Sequence, residues 1–524
     1  MINLQTMTLL ETLRSRKLIV PMLAIFVALL VQTSWVEEDA FITLRTSDNF
    51  IHGYGLRWNV DERVQTFTNP LWMFLLAGAH VIVKNPYIAL ILLSILASAL
   101  GMFVLLVNLP RSNFGVLLAF AILVLSKSFV DYSTSGLENP ATHLIAAGFL
   151  VLYFKAEKPL ADKTLFFLSL LAGLAAFNRM DTVLFYLPAL VVLFLNRPNR
   201  RTLLVMLAGF SPFILWELFS IIYYGFPVPN TYYAKLGAGV PSGELAKQGA
   251  LYFLNSLGWD PITLTMIFSA LALTFIGRRR EEILVALGVV LYLGYIVAIG
   301  GDFMSGRFFS APLIFSVALL VRRAEDATTL EKYVWIGLAL LLGVLLAPLK
   351  SYAGPLESDL VTFDNTTGVA DERFGYYRYT NLLLFNRNGN LSVNPLAEYG
   401  LRLREQKIKT SVTTGIGMSG YFAGPQTHII DALALGDPLL ARLPPADLAD
   451  WYIAHLVREV PEGYFETIES GENQITDPSL AEYYDKLHLI VSGDLWTAER
   501  WEAIWKMNTG QYDYLIELYL TAPK

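Results

Sequence analysis

Apolar residues in the first two thirds of the chain gather into long runs with few interruptions, the pattern of helices surrounded by lipid rather than of helices with one wet face. Runs such as residues 18–35, 87–107 and 283–299 are long enough to cross a hydrocarbon core of roughly 30 Å, and others recur as far as residue 349. The first follows Arg14, Arg16 and Lys17 as a signal peptide would, but no small-residue cleavage site follows it, so it reads as a retained first helix. Beyond residue 350 the runs stop. Short apolar stretches separated by turn signals, Asn388-Gly389 and Gly436-Asp437-Pro438 among them, predict a folded mixed α/β domain over residues 351–524.

Basic clusters give this pattern a direction. Lys and Arg collect at residues 14–17, 155–163, 197–201, 278–280 and 322–323, which marks these loops as cytoplasmic and puts the N-terminus inside. Hairpins poor in basic residues end near 178–181, 229–235 and 300–307 and must face outward. An even number of crossings is then required between Lys17 and Lys155, so the apolar stretch 69–84 cannot be a crossing. It is expected along the outer interface, anchored by Trp72. About eleven transmembrane helices result, with a membrane domain over 1–350, a first outer loop over 36–86 and an extracytoplasmic C-terminal domain.

Composition agrees with this division. The chain is 54% hydrophobic and 16% charged, more apolar than one soluble core needs. Its net charge of −6 conceals a contrast: the segment from Ser351 onward holds 13 basic and 24 acidic residues, leaving the membrane part net basic. There is no cysteine, which excludes disulfides, thiolate metal sites and cysteine nucleophiles. No internal repeat or low-complexity tract interrupts the chain.

Unusual polar residues collect on the outer side. Glu37, Glu38 and Asp39 follow the first span directly, and crowded carboxylates raise one another's pKa unless a cation compensates. They make either an acid/base site or an ordinary acidic loop. Asp39 and Glu38 are the candidates for removing a proton from an attacking hydroxyl. A divalent cation between them, with Asp302 or Asp181, is a lesser alternative, since hard oxygen ligands suit magnesium, calcium or manganese. Arg307, Lys235 and Arg179 stand at outer span ends, placed either to hold a phosphate or to anchor loops, Arg179 to Asp181 and Arg307 to Asp302.

The stretch that follows the acids is more specific. Phe41-Ile42-Thr43-Leu44-Arg45, Asn49, Gly53-Tyr54-Gly55-Leu56, Trp58-Asn59, Glu62-Arg63-Val64 and Thr68-Asn69-Pro70-Leu71-Trp72 resemble the first outer loop of the glycosyltransferase C superfamily, and within it the actinobacterial terminal arabinofuranosyltransferases. The resemblance continues in order through Thr134-Ser135-Gly136-Leu137-Glu138, Asn178-Arg179-Met180-Asp181, Pro229-Asn230-Thr231-Tyr232-Tyr233-Ala234-Lys235, Gly300-Gly301-Asp302 to Arg307, Asp431 and Asp437-Pro438. Two departures stand out. Glu38 replaces the first Asp of the family's acidic pair, and Met180 replaces the Pro of its Arg-Pro-Asp.

The resemblance implies an integral protein of the bacterial inner membrane that transfers a sugar, arabinofuranose first, from a polyprenyl monophosphate donor to a glycan or glycoprotein acceptor on the outer face. It further implies sugar contacts from Arg45, Asn49, Trp58, Asn230, Tyr232, Asp181 and Asp302. The lipid bilayer is a partner and nucleic acid is not. The alternatives are a mannosyl- or aminoarabinosyltransferase of the same superfamily and a lipid-linked-sugar flippase. A flippase would place its charges near the bilayer midplane and often shows inverted repeats, neither of which the chain displays.

Overall fold

The computed structural model describes residues 17–346, 362–364, 367–384, 394–448 and 451–522. Arg14, Arg16, the start of the tail at Ser351 and the expected turn at Asn388-Gly389 lie outside these. The chain forms two compact units, each built from separated segments: residues 1–37, 87–212 and 242–392 in one, and 38–86, 213–241 and 393–524 in the other.

The first unit is helical. Its apolar runs become the helices Ile19–Thr33, Pro86–Asn108, Asn139–Lys155, Asp162–Asn178, Pro261–Gly277, Arg280–Ala298 and Ser310–Ala324. Ser310–Ala324 is buried around nearly its whole circumference and forms the centre of the unit, although Arg322 and Arg323 in its last turn reach outward. Close helix approach depends on small residues, as between membrane helices generally. At Gly288 a Cβ would lie 2.2 Å from the Phe185 carbonyl oxygen, so no side chain fits there. By length and composition two helices among the described residues can cross a membrane, Pro86–Asn108 and Arg280–Ala298, or up to four spans if each bent helix pair counts as one. Other apolar helices are shorter, including Ile19–Thr33 and Asn113–Leu125.

Part of the tail belongs to this unit, not to the C-terminal domain whose start the sequence suggests at residue 351. Strand Thr362–Asp364 pairs antiparallel with Val369–Asp371, and the helix Glu372–Thr380 follows. Buried ion pairs fix the segment. Lys127 bridges Asp131 and Asp371, with Asp371 at 3.2 Å, while Arg373 Nε meets Asp131 at 3.0 Å. Asn381 Nδ2 also donates to the Ser34 carbonyl at 2.7 Å. Charges this deeply buried need partners, and here two cations from different segments neutralise two acids.

The second unit joins the first loop to the rest of the tail. Strand Thr410–Thr413 pairs in parallel with His428–Asp431, and the helix Ile416–Ala423 connects them. Helices Pro395–Glu405, Pro478–Ser492 and Ala498–Asn508 surround this pair. A shared core contains Ile42, Trp58 and Val64 from the loop, Phe226 and Ala234 from the middle segment, and Ile429, Ile430, Leu480 and Ile490 from the tail. The loop itself forms two helices, Ala40–Ile51 and Pro70–Val83. The second matches the expected 69–84 stretch. It starts on Pro70, whose missing N–H is no loss at a first helical turn, and ends where Lys84 adopts a left-handed conformation.

Gly288→Ala is expected to lower the thermal unfolding midpoint of the detergent-purified protein, since relieving the clash with backbone costs about 1–3 kcal/mol. Gly294→Ala, with open space around the added methyl, should leave it unchanged.

Candidate functional site

In the first unit two arginines share one carboxylate. Glu138 is fully buried just before the helix Asn139–Lys155, and its Oε1 accepts from Arg179 Nη1 at 2.8 Å and Arg307 Nη2 at 3.3 Å. Each arginine has a second acid as well. Arg179 Nε donates to both Asp181 oxygens, at 2.9 and 3.1 Å, and Arg307 Nη1 to Asp302 Oδ2 at 3.2 Å. The loop-anchoring pairs therefore both form. Phe308 lies against the two guanidinium groups, 4.4 Å from Arg179 and 5.9 Å from Arg307. With two cations among three acids, the cluster has no surplus positive charge. What remains for a ligand sits on Arg179, whose side chain is 16% exposed and whose Nη2 carries no hydrogen bond among the described residues.

Local backbone explains the placement of these groups. Arg179 is extended between the helix Asp162–Asn178 and the short turn Met180–Thr182, which swings its side chain back onto Asp181. Arg307 follows Gly306, whose φ of 76° makes a turn that places the arginine opposite Asp302.

In the second unit the acidic pair divides. Glu38 is 8% exposed, and its Oε1 accepts from the Met418 N–H at 2.9 Å, at the start of the helix Ile416–Ala423. Burial, reinforced by the charge of Asp39, pushes its carboxyl up to about 8 despite the backbone donors Met418 and Gly417. A Cβ on Gly417 would stand 2.0 Å from the Glu38 carbonyl oxygen and 2.8 Å from its carboxyl carbon, so only glycine admits this contact. Asp39 is only partly buried and directly precedes the helix Ala40–Ile51. The carboxylate at the end of the parallel pair is also perturbed: Asp431, fully buried, accepts from the Leu433 and Gly436 amides at 2.9 Å each, yet burial raises it to about 7.

A second polar network lies behind the loop. Ile429 orients the Asn59 carboxamide by donating to its Oδ1 and accepting from its Nδ2, each at 3.1 Å. Asn59 Nδ2 also donates to Glu62 Oε1 at 3.1 Å and lies 3.2 Å from His428 Nε2, while His428 Nδ1 stands 2.8 Å from Asp61. Burial raises Glu62 against the pull of His428. Burial also lowers His428, but the Asp61 hydrogen bond and the charges of Glu62 and Asp61 outweigh it and raise the ring.

Several expected sugar contacts are committed to the protein itself. Arg45 donates to the Gly420 and Thr427 carbonyls at 2.9 and 2.8 Å and lies 4.3 Å over the buried Trp58 ring. Asn49 Nδ2 holds the Arg57 and Trp58 carbonyls, and Asn230 Nδ2 meets those of Ala434, Leu435 and Asp437 at 3.0–3.2 Å. Tyr232 is 47% exposed, and Lys235 is half-buried at the end of the short helix Asn230–Lys235. Among the described residues no group of three or more His, Asp or Glu side chains is arranged to hold a metal ion. Glu138, Glu62, Asp431 and His428 went unnamed as site candidates from sequence, although the first three stand inside quoted motifs.

The comparisons with known proteins agree with the loop motifs. Residues 68–217 match the family described as dolichyl-phosphate-mannose-protein mannosyltransferase. The chain is 29% identical over 406 residues to the terminal beta-(1->2)-arabinofuranosyltransferase of Mycobacterium tuberculosis, covering 67% of this chain and 63% of that one. It is 27% identical over 333 residues to the protein of the same name from Corynebacterium glutamicum, covering 55% and 47%. The chain thus spans less than two thirds of the relatives it matches. Its fold is similar to that of ArnT from Cupriavidus metallidurans in the apo state, with a TM-score of 0.52 at 14% identity over 81% of this chain and 88% of that one. The resemblance to the glycosyltransferase C superfamily stands, and among its named relatives the arabinofuranosyltransferases are represented twice.

Acids raised by burial make the folded chain hold more protons than the unfolded one between the ordinary Glu value of 4.5 and about 8, so stability falls as pH rises through that window. The raised His428 works in the same direction, losing its contribution above its ordinary 6.5. The lowered Asp61 contributes in full above its ordinary 3.8 and loses that contribution only below it, outside this window. The unfolding midpoint is therefore expected to be higher at pH 5.5 than at pH 8, and Glu38→Gln to flatten the difference; a midpoint that rises toward pH 8 would count against these assignments.

Proposed function

We propose that the protein transfers arabinofuranose from a polyprenyl monophosphate donor to a surface glycan or glycoprotein on the outer face of the bacterial inner membrane. The observation that carries this reading is the pair of relatives named terminal beta-(1->2)-arabinofuranosyltransferase, matched over more than half of the chain. About eleven crossings, an extracytoplasmic first loop and an extracytoplasmic tail belong to the proposal. The match of residues 68–217 to a protein mannosyltransferase family favours a second reading, mannosyl transfer to a protein acceptor.

Asp39 is assigned as general base, removing the acceptor hydroxyl proton as that oxygen attacks the anomeric carbon. Its partial exposure suits contact with substrate, whereas Glu38, buried and bonded to Met418, holds the acidic turn in place. The leaving group is a phosphate monoester, and Arg179 and Arg307 are assigned to stabilise its charge. Arg179 carries the exposed donor; Arg307 is kept in register through their shared Glu138. Lys235 adds a point charge, and Asp181 and Asp302 orient the arginines. Tyr232 is left to contact sugar, while Arg45, Asn49, Trp58 and Asn230 act by holding the loop that carries Asp39. A divalent cation at Glu38 and Asp39 is not required by this assignment.

Asp39→Asn should lower transfer from a synthetic polyprenyl phosphate arabinofuranose by about a hundredfold to ten-thousandfold with donor binding intact. A variant within a few fold of the wild type would remove Asp39 from the base role. Arg179→Ala should weaken undecaprenyl phosphate binding by about tenfold or more, the loss of a charge-assisted hydrogen bond of roughly 1.5–3 kcal/mol. Arg307→Ala should lower the melting midpoint further than Arg179→Ala does, because it removes the more deeply buried cation and leaves Asp302 without its partner. Equal donor affinity in wild type and both variants would make the arginines structural. Parallel assays with polyprenyl phosphate mannose and a peptide acceptor decide between the two readings.

A further inference from the structure

The helix Ala498–Asn508 presents tryptophan to solvent. Trp505 is 67% exposed and Trp496, just before the helix, 73%. Trp501 lies one turn before Trp505 on the same face, half-buried against the core of the second unit, and its ring centroid is 6.5 Å from that of Trp496 at an interplanar angle of 32°. Glu502 and Asn508 are exposed beside them. This much exposed indole is unusual in a folded domain and marks a surface that meets something.

The opposite face of the helix is tightly fixed. Arg500, fully buried, donates through Nε to the Ile490 carbonyl at 2.8 Å and through its terminal nitrogens to those of Ile222 and Tyr223 at 2.9 and 3.1 Å. Nearer the indoles, Asn508 Nδ2 also anchors the helix, on the Gly225 carbonyl at 2.8 Å. The indoles are thus presented on a rigid support, so little ordering would oppose binding.

We propose that Trp496, Trp501 and Trp505 form a docking platform for a neutral surface glycan, distinct from the acids and arginines assigned to transfer. Sugar rings offer C–H faces that pack on indole and hydroxyls that need acceptors. Glu502 and Asn508, each three residues from Trp505 along the helix, carry acceptors on exposed side chains. Charge selects this partner over an anionic lipid surface: residues 494–522 hold five acids, Asp494, Glu499, Glu502, Asp513 and Glu517, against Lys506 and the buried Arg500. Lys506 is itself paired with Glu502 at 2.6 Å. The platform rests on the proposed function only for the expected sugar.

The test is calorimetric titration of the full-length protein in detergent with an arabinofuranose oligosaccharide and with a linear mannose oligosaccharide. Wild type should bind at least one of them, and the double variant Trp496→Ala, Trp505→Ala should bind it about tenfold more weakly or worse. Its melting midpoint and undecaprenyl phosphate affinity should stay unchanged, and Trp505→Phe should retain part of the binding. Wild-type failure to bind either sugar overturns the platform, as does a double variant that binds normally. A double variant that alters only oligomeric state, or only association with phosphatidylethanolamine and phosphatidylglycerol vesicles, overturns it too. If glycan binding is present and sugar transfer absent, the proposed activity fails while the platform stands.

Discussion

The second unit depends on one buried cation. Arg45, in the first loop, reaches the carbonyls of Gly420 and Thr427 and stacks on Trp58, tying the helix that connects the parallel strands to the residue just before the second strand. Burial lowers its pKa to about 9, with Asp61 opposing, so the group stays charged at neutral pH. Carbonyl oxygens, not carboxylates, receive most of its hydrogen bonds. A buried guanidinium satisfied this way fixes direction as well as distance, because its donors are planar. The position of the acidic turn at Glu38 and Asp39 follows from that clamp and from the Met418 amide that meets Glu38.

The first unit handles charge differently. Glu138 serves two arginines at once, and Asp181 and Asp302 complete a chain of acids and bases without net positive charge. An anion arriving there must compete with carboxylates already in place. Such competition favours a ligand with more charge and more oxygens than a carboxylate, which a phosphate has. The shared carboxylate also offsets the repulsion between the two guanidinium groups.

Much of this was legible in the sequence, and unevenly. The helix at 87–107 is found to within one residue at each end and that at 283–299 to within three, because long apolar runs have few other solutions. The helix at 70–83 was legible from its apolar run and from Pro70 at its start. Arg45 was expected at a sugar and is found holding a loop, since sequence shows a charge and cannot show a carbonyl some 375 residues away. Glu138 was hidden for the opposite reason. The motif that ends on Glu138 marks the residue without giving it a role, and only the return of Arg179 and Arg307 to the same point does so. The tail's division between units depends on Lys127, whose two acidic partners lie 4 and 244 residues away.

The second unit draws its core from three stretches of chain, 38–86, 213–241 and 393–524, and this imposes an order on its birth. Arg45 cannot find its carbonyls until another 375 residues have been made, which takes about 20–75 s at 5–20 residues per second. Through that interval the first loop carries a guanidinium, a tryptophan and a row of aliphatic side chains with no core to enter. Whatever keeps such a segment from premature association during synthesis acts in the time between the first loop and the last helices of the chain.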